Sequence, residues 1–389
     1  MHMEKKTFIV TSVITAVVVA GGLFLLRGSM LSRDEANALP LFNGLFADAV
    51  TVDGTSYLVP PGDIYDAGVA ADSIPALTNP AFTNVASMDS ILADEVSGID
   101  VAVNGDHRFY PDQIMNWHQV VNDTFNEQSL LVVHDPLSGT SIAYENIGAF
   151  KASGKVYNNT LLMDDGAGSL WLASRGIAVV GDAVGAELKQ FPSRTMSWTT
   201  WKALYPNEEV LDASATGVTR DYTRHPYGSY GETPTVYFPL NSTDARIAVK
   251  TLVLGLDVNG EQLAIPESVM ATANVVNDTV GGVPLTAFYD WQNKMVNIFS
   301  SSISLSAEDT QTDSIHTFIY DVGHDIYVDN ETQSEWTSDG ECVKGTLRGT
   351  QLTPINAPEY YWFAWAAVFP DTRVNPDAVA DDSSATTDE

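Results

Sequence analysis

Two stretches of this chain match each other at a nearly constant offset, and that self-similarity limits what the chain can fold into. With Asn104-Gly105 set on Asn259-Gly260, Tyr110-Pro111 falls on Ile265-Pro266 without a gap. Val121-Asn122-Asp123-Thr124 falls on Val276-Asn277-Asp278-Thr279, Leu130 on Leu285 and Asp135 on Asp290. At a slightly longer offset Gly176, Gly181, Gly185 and Leu188 meet Gly340, Gly345, Gly349 and Leu352. Trp198, Trp201 and Pro206 meet Trp362, Trp365 and Pro370, and Trp171 meets Trp336 after a one-residue gap. A duplicated unit over 98–210 and 250–374 explains this pattern. Two copies of this length indicate paired domains rather than a solenoid, whose repeats are short and numerous. The repeat is also an internal control. Residues present in both copies serve folding, and residues special to one copy are better placed to serve function. Asn116-Trp117-His118 becomes Ala271-Thr272-Ala273, and His134 becomes Tyr289. The first copy is therefore expected to be the functional half.

The 389 residues exceed one usual domain. Asp and Glu outnumber Lys and Arg by 50 to 19, a net charge of −31. Such a surface disfavours nucleic acid, whose binding needs clustered cations on phosphates, and suits a solvated face in salty surroundings. Lys5-Lys6 precede an uncharged run, Thr7–Leu26, that is long enough to cross a bilayer as a helix. The basic pair on the short side favours an inside N-terminus, and the run ends without a small-x-small cleavage site. The expectation is a retained signal anchor over 1–27, single-pass, with an extracytoplasmic body. A stalk and extended lead-in, rich in Pro and Gly, follow over 28–97. The first β-rich repeat with its linker spans 98–249 and the second 250–374. A disordered acidic tail closes the chain at 375–389. Cys342 is the sole cysteine, so no intrachain disulfide exists, and a buried structural thiol is expected. Sequons fall at Asn122, Asn158, Asn241, Asn277 and Asn330. Two of them belong to the repeated Asn-Asp-Thr, which reads as a fold motif.

Within the first unit Ile99–Val103 alternates and ends at Asn104-Gly105, a hairpin signal, with Arg108–Tyr110 as the return strand. Pro111 opens a helix expected over Asp112–Val121, with Ile114, Trp117, Val120 and Val121 as its apolar stripe. Leu130–His134 and Ser141–Tyr144 read as strands around a turn at 136–140. Ser197–Leu204 reads as a second short helix with Trp198 and Trp201 on its core face. The fold class is mainly β with a few short helices (α+β): two tandem copies of one β-rich unit packed as a pseudo-symmetric pair, plus the membrane helix.

The series DSIPAL (72–77), NWHQVVNDT (116–124), HDPLSGTSI (134–142), VYNNTLLM (156–163), SLW (169–171), RDYTRHPYGSY (220–230) and YWFAWAAVFPDTRV (361–374) resembles the family catalogued as domain of unknown function 3179. The match runs in order over nearly the whole body. The resemblance implies a secreted or membrane-anchored bacterial or archaeal protein and supplies no agreed activity. It also implies a Cys-Pro-x-Cys motif where this chain has Asp135-Pro136-Leu137-Ser138, and a Tyr where it has His134. Paired thiols would suit metal or redox chemistry. With Asp135 and Ser138 in their place, the site has either been lost or been exchanged for harder ligands.

His118 is a candidate metal ligand or general base, since neutral imidazole serves either role, or a core histidine bonded to a carbonyl. His118, His134 and Asp135, if they converge, form an N/N/O set suited to Zn, Cu or Fe, although their spacing matches no standard metal motif. Asp135 recurs as Asp290, which favours a turn-capping duty. Ser138 is a conceivable nucleophile without the usual elbow sequence. Asn116, Trp117, Tyr157 and Asn158 are candidate pocket residues, the last two equally a strand-edge turn. Arg220, Arg224 and Tyr227 crowd the linker. They serve either to clamp the halves by ion pairs and stacking or to hold an anionic ligand. Three functions remain open: a membrane-anchored extracellular protein binding a metal ion or small ligand through the first repeat, a structural surface protein with a decayed site, or a metal-dependent hydrolase or redox enzyme.

Overall fold

Asn104 and Gly105 take φ of +56° and +91°, as a two-residue hairpin turn with two left-handed positions requires. Ser97–Val103 and Asp106–Pro111 pair antiparallel through this turn. The computed structural model describes residues 15–19, 22–26, 30–70, 73–304 and 313–375. Pro111 closes the return strand, and helix Asp112–His118 follows directly. The helix is shorter than the apolar spacing suggested. Gln119 takes φ +60°, which ends the helix, and Val120 and Val121 begin strand Val120–Phe125. That strand is buried on both faces, so its apolar run mimics a helical stripe.

Strands Val120–Phe125, Gln128–Asp135 and Thr140–Glu145 form the antiparallel centre of a five-stranded sheet. Lys151–Tyr157, Thr160–Asp164, Leu170–Leu172 and Ile177–Val180 form the centre of a seven-stranded sheet. Ser193–Ser197 then returns to pair with Ser97–Val103. Ser197 caps helix Trp198–Leu204 by accepting from Thr200 N. Glu209–Leu211 finishes parallel to Asp106–Pro111. Trp198, Trp201 and Phe109 stack in a core that excludes water from all three rings.

The second half runs through elements in the same order. Hairpin Leu252–Val258 and Glu261–Pro266 leads into helix Glu267–Ala273, which ends at Asn274 with φ +65°. Strands Val275–Val280, Val283–Asp290 and Met295–Ser300 follow. A strand pair, Ser302–Ser304 with Asp313–Ile315, precedes a four-stranded sheet from Phe318–Asp321 to Cys342–Lys344. Glu359–Tyr361 pairs with the hairpin, helix Trp362–Val368 follows, and Arg373–Val374 lies parallel to Glu261–Pro266.

The shared Asn-Asp-Thr does the same work in both halves. Asn122 brackets Phe150 through both backbone groups, at 2.8 and 2.9 Å. Asn277 brackets Phe318 in the same way, at 2.9 Å twice. Asp123 and Asp278 each accept the amide of the following threonine. Cys342 is buried, as its place beside a core strand implies.

The segment read as stalk and lead-in is built into the body from Met30 onward. Val50–Val52 and Thr55–Tyr57 extend one edge of the seven-stranded sheet, and Ile64–Asp66 extends the other. Leu45, Leu58 and Val59 pack with Leu162, Leu172 and Val179. The expected membrane helix Thr7–Leu26 lies for the most part outside the described residues. Its described pieces, Thr15–Val19 and Gly22–Leu26, form a strand pair. No helix among the described residues is long and apolar enough to cross a membrane. The acidic tail from 376 onward also lies outside the described residues.

Candidate functional site

His118 is fully buried, and both its ring nitrogens are engaged. Nδ1 lies 2.8 Å from the Pro75 carbonyl and Nε2 lies 2.7 Å from the Tyr222 hydroxyl. The carbonyl can only accept, so Nδ1 carries the proton and Nε2 accepts from the tyrosine. Burial pushes the imidazole pKa down. This is a neutral core histidine that ties the helix end to the lead-in and the linker. No nitrogen remains for a metal.

Asp135 and Ser138 face each other across the 135–138 turn, where the family resemblance implies two thiols. Ser138 Oγ donates to Asp135 Oδ2 at 2.6 Å and lies 2.9 Å from Thr140 Oγ1. Asp135 also accepts from Leu137 N and Leu161 N. Burial raises its pKa against these bonds. Asp135 is therefore spent on the turn, and Ser138 has no histidine to activate it. Gly139 takes φ +68°, and a Cβ there would come within 2.9 Å of the Tyr361 ring. Tyr361 N donates to Ser138 O, so the second half braces this turn.

His134 points to other partners. Nε2 lies 3.2 Å from Asn116 Oδ1, and Nδ1 lies 2.9 Å from Ser141 Oγ and 3.3 Å from Asp112 Oδ1. Serine and aspartate converge on one nitrogen, whereas a Ser-His-Asp triad needs them on opposite nitrogens. Asp112 heads its helix, and burial raises its pKa. Its Oδ1 is buried and accepts no hydrogen bond. Asp112, Asn116 and His134 line a cavity of about 420 Å³ with His225, Glu232 and Tyr361 nearby in the wall. Arg224 sits in the same wall.

A second cavity of about 310 Å³ opens on the other side of Asn116, lined by Trp117, Gln119, Asp135, Arg220 and Tyr227 among others. Tyr157 and Asn158 line neither cavity. The Tyr157 hydroxyl donates to Gly44 O, and Asn158 Oδ1 accepts from Asn241 N, so both serve as strand-edge structure.

The proposed metal set therefore does not assemble. His118, His134 and Asp135 have separate partners, and His134 and Asp135 line different cavities. Among the described residues, the group dense enough to hold an ion is His316, Asp329 and Glu331, in the second half. There Asp329 already accepts from Thr332 N, Ser334 N and Trp336 Nε1. Glu331 accepts from Thr317. The structure brings Asn116 and Trp117, expected in a pocket, to one cavity with Arg220 and Tyr227, expected in the linker; the sequence reading missed Asp112, Gln119, Ser141 and His225. Asp112 had a signal, since it follows Pro111 as Glu267 follows Pro266.

A profile of the family described as protein of unknown function (DUF3179) matches residues 71–372. No curated protein and no solved structure matches the chain. The matched region covers most of the 389 residues, and on that ground the chain belongs to the DUF3179 family.

Proposed function

We propose that this chain is a single-pass, membrane-anchored protein with its body on the extracytoplasmic side, and that its first half binds a small polar ligand between Asp112, Asn116 and His134. The anchor reading rests on the uncharged run Thr7–Leu26 behind Lys5-Lys6. We read the two halves as duplicated copies, on their common element order and their common Asn-Asp-Thr bracket. The second copy is then structural, bracing the site through Tyr361.

One observation favours binding above the other readings: Asp112 Oδ1 is buried at a cavity wall and makes no hydrogen bond, with His134 Nδ1 3.3 Å away as its polar neighbour. Leaving such an oxygen without a hydrogen bond costs up to about 1–3 kcal/mol. A ligand that offers a hydrogen-bond donor or a positive charge recovers that cost. Hydrolytic chemistry has no matching support, because neither Ser138 nor Ser141 has a serine–histidine–carboxylate relay. A metal would first have to free His134 Nδ1 from Ser141.

The test uses the full-length chain, purified in mild detergent without chelators, beside Asp112→Asn. Native and elemental mass spectrometry should find a small organic adduct on the wild type that is absent from the variant. Stoichiometric metal that is lost in the variant would instead assign the pocket to an ion held by Asp112, His134 and His225. A wild-type chain with neither, unresponsive to added amines or divalent metals, would overturn the proposal.

A further inference from the structure

The second cavity, beyond Asn116, differs in character from the first. Its wall is aromatic and aliphatic: Trp117, Tyr227, Tyr237, Phe238, Ile74 and Leu161. Two polar side chains in that wall have unmet bonding capacity. Gln119 is 3% exposed; its Nε2 donates to the Tyr227 hydroxyl at 2.9 Å, and its Oε1 is buried without a partner. Arg220 places Nη2 on Ser73 O at 3.0 Å and its guanidinium 5.7 Å from the Trp117 ring centre. Its Nε is buried without a partner.

The second half shows what an ordinary version of this position looks like. Asn274 stands where Gln119 does, at the end of the equivalent helix and again at positive φ. There the amide oxygen is satisfied, because Trp291 Nε1 donates to Asn274 Oδ1 at 2.6 Å. The residue aligned with Trp291 in the first half is Pro136, which has no such donor. Among the described residues Arg220 also lacks an acidic partner, a state it shares with Arg33, Arg175, Arg224 and Arg348, so its place in the cavity wall carries the weight. Asp135 borders the same cavity, but its oxygens are taken by Leu137, Ser138 and Leu161.

We propose that this cavity binds a small apolar carboxylate that also carries a hydrogen-bond donor. The carboxylate would pair with Arg220, whose planar guanidinium suits it. A hydroxyl or amide N–H would donate to Gln119 Oε1, and the apolar body would lie among the aromatic rings. The cavity is at the small end of the range for ligand sites. The ligand is therefore of single-ring size.

The experiment is calorimetric titration of the full-length chain in mild detergent with 3-(4-hydroxyphenyl)propionate, and with the corresponding alcohol as the uncharged probe. The carboxylate should bind saturably, and the alcohol at least about tenfold more weakly. Arg220→Met should weaken the carboxylate by at least about tenfold. Gln119→Asn, which adopts the residue the second half uses, should weaken it by a smaller factor. Asp112→Asn should leave it unchanged, which separates this site from the polar pocket whatever that pocket binds. Melting curves establish that each variant is folded. If Arg220→Met does not fold, the acid-to-alcohol ratio on the wild type decides. No saturable binding up to about 1 mM, equal binding of acid and alcohol, or a folded Arg220→Met with unchanged affinity would each overturn the proposal.

Discussion

His118 shows how one side chain's partners decide between a ligand and a strut. Its two hydrogen bonds, to Pro75 and Tyr222, fix a neutral ring, and burial depresses its pKa. The consequence for stability has a definite sign. The unfolded histidine titrates near 6.5, while the folded one resists protonation until lower pH. The unfolded state therefore binds the extra proton first, and the histidine's contribution, full above about pH 6.5, fades as pH falls toward the folded value. His118→Phe should flatten the dependence of unfolding free energy on pH below about 6.5. It should also cost about 1–3 kcal/mol at neutral pH, because Tyr222 and Pro75 lose a buried partner. Urea unfolding at several pH values reads both effects. A variant with the wild-type slope would show that His118 does not titrate with folding.

At the scale of elements, the two halves repeat a turn built around a carboxylate. Asp329 gathers Thr332 N, Ser334 N and Trp336 Nε1, and Asp165 gathers Ala167 N, Ser169 N and Trp171 Nε1. The glycine that follows each turn, Gly181 or Gly345, has positive φ and sits too close to Ser169 or Ser334 to accept a Cβ. Asp329 is fully buried, so Asp329→Ala should cost about 3 kcal/mol or more by stranding several donors. Asp165→Ala, at a partly exposed turn, should cost less, and denaturant midpoints will rank them. Recurrence marked the glycines and tryptophans of these turns, which can be matched without coordinates, but not the carboxylates at their centres. The hairpin at Asn104-Gly105 and the helix capped by Ser197 were legible for the same local reasons. The end of helix Asp112–His118 was not, since a doubly buried strand and a helical stripe share the apolar run at Val120-Val121. Nor were the edge strands of the lead-in, which are only three residues each amid Pro and Gly. The candidate site was half legible. Absence from the matching positions of the second half drew attention to Asn116-Trp117-His118 and His134. Which of them face a cavity depends on pairings with residues about 100 positions away, such as Tyr222 and Arg224, that no local pattern encodes.

For the whole molecule, the junction of the two halves sets one electrostatic problem against the −31 net charge. Glu267 heads the second half's first helix, where Asp112 heads the first half's. It is hydrogen-bonded to Glu359, and both border a cavity of about 730 Å³ whose walls come from both halves. Burial raises the pKa of each, and the charge of Glu267 pushes Glu359 up further. Two adjacent carboxylates cannot both ionise cheaply, so the pair holds a proton that the unfolded chain would release. The sign follows from linkage. A carboxyl whose folded pKa exceeds its unfolded value contributes stability below the unfolded pKa of about 4.5, and loses it as pH rises through the folded pKa. Glu359→Gln keeps the hydrogen bond and abolishes that loss. It should raise the melting temperature at neutral pH by about 2 °C or more, and change it little near pH 4, where wild type is already protonated. Scanning calorimetry of wild type and variant at both pH values decides the matter. A variant that melts lower than wild type at neutral pH would mean that Glu359 is ionised there and engaged with a cation, and would make the junction itself a place to look for one.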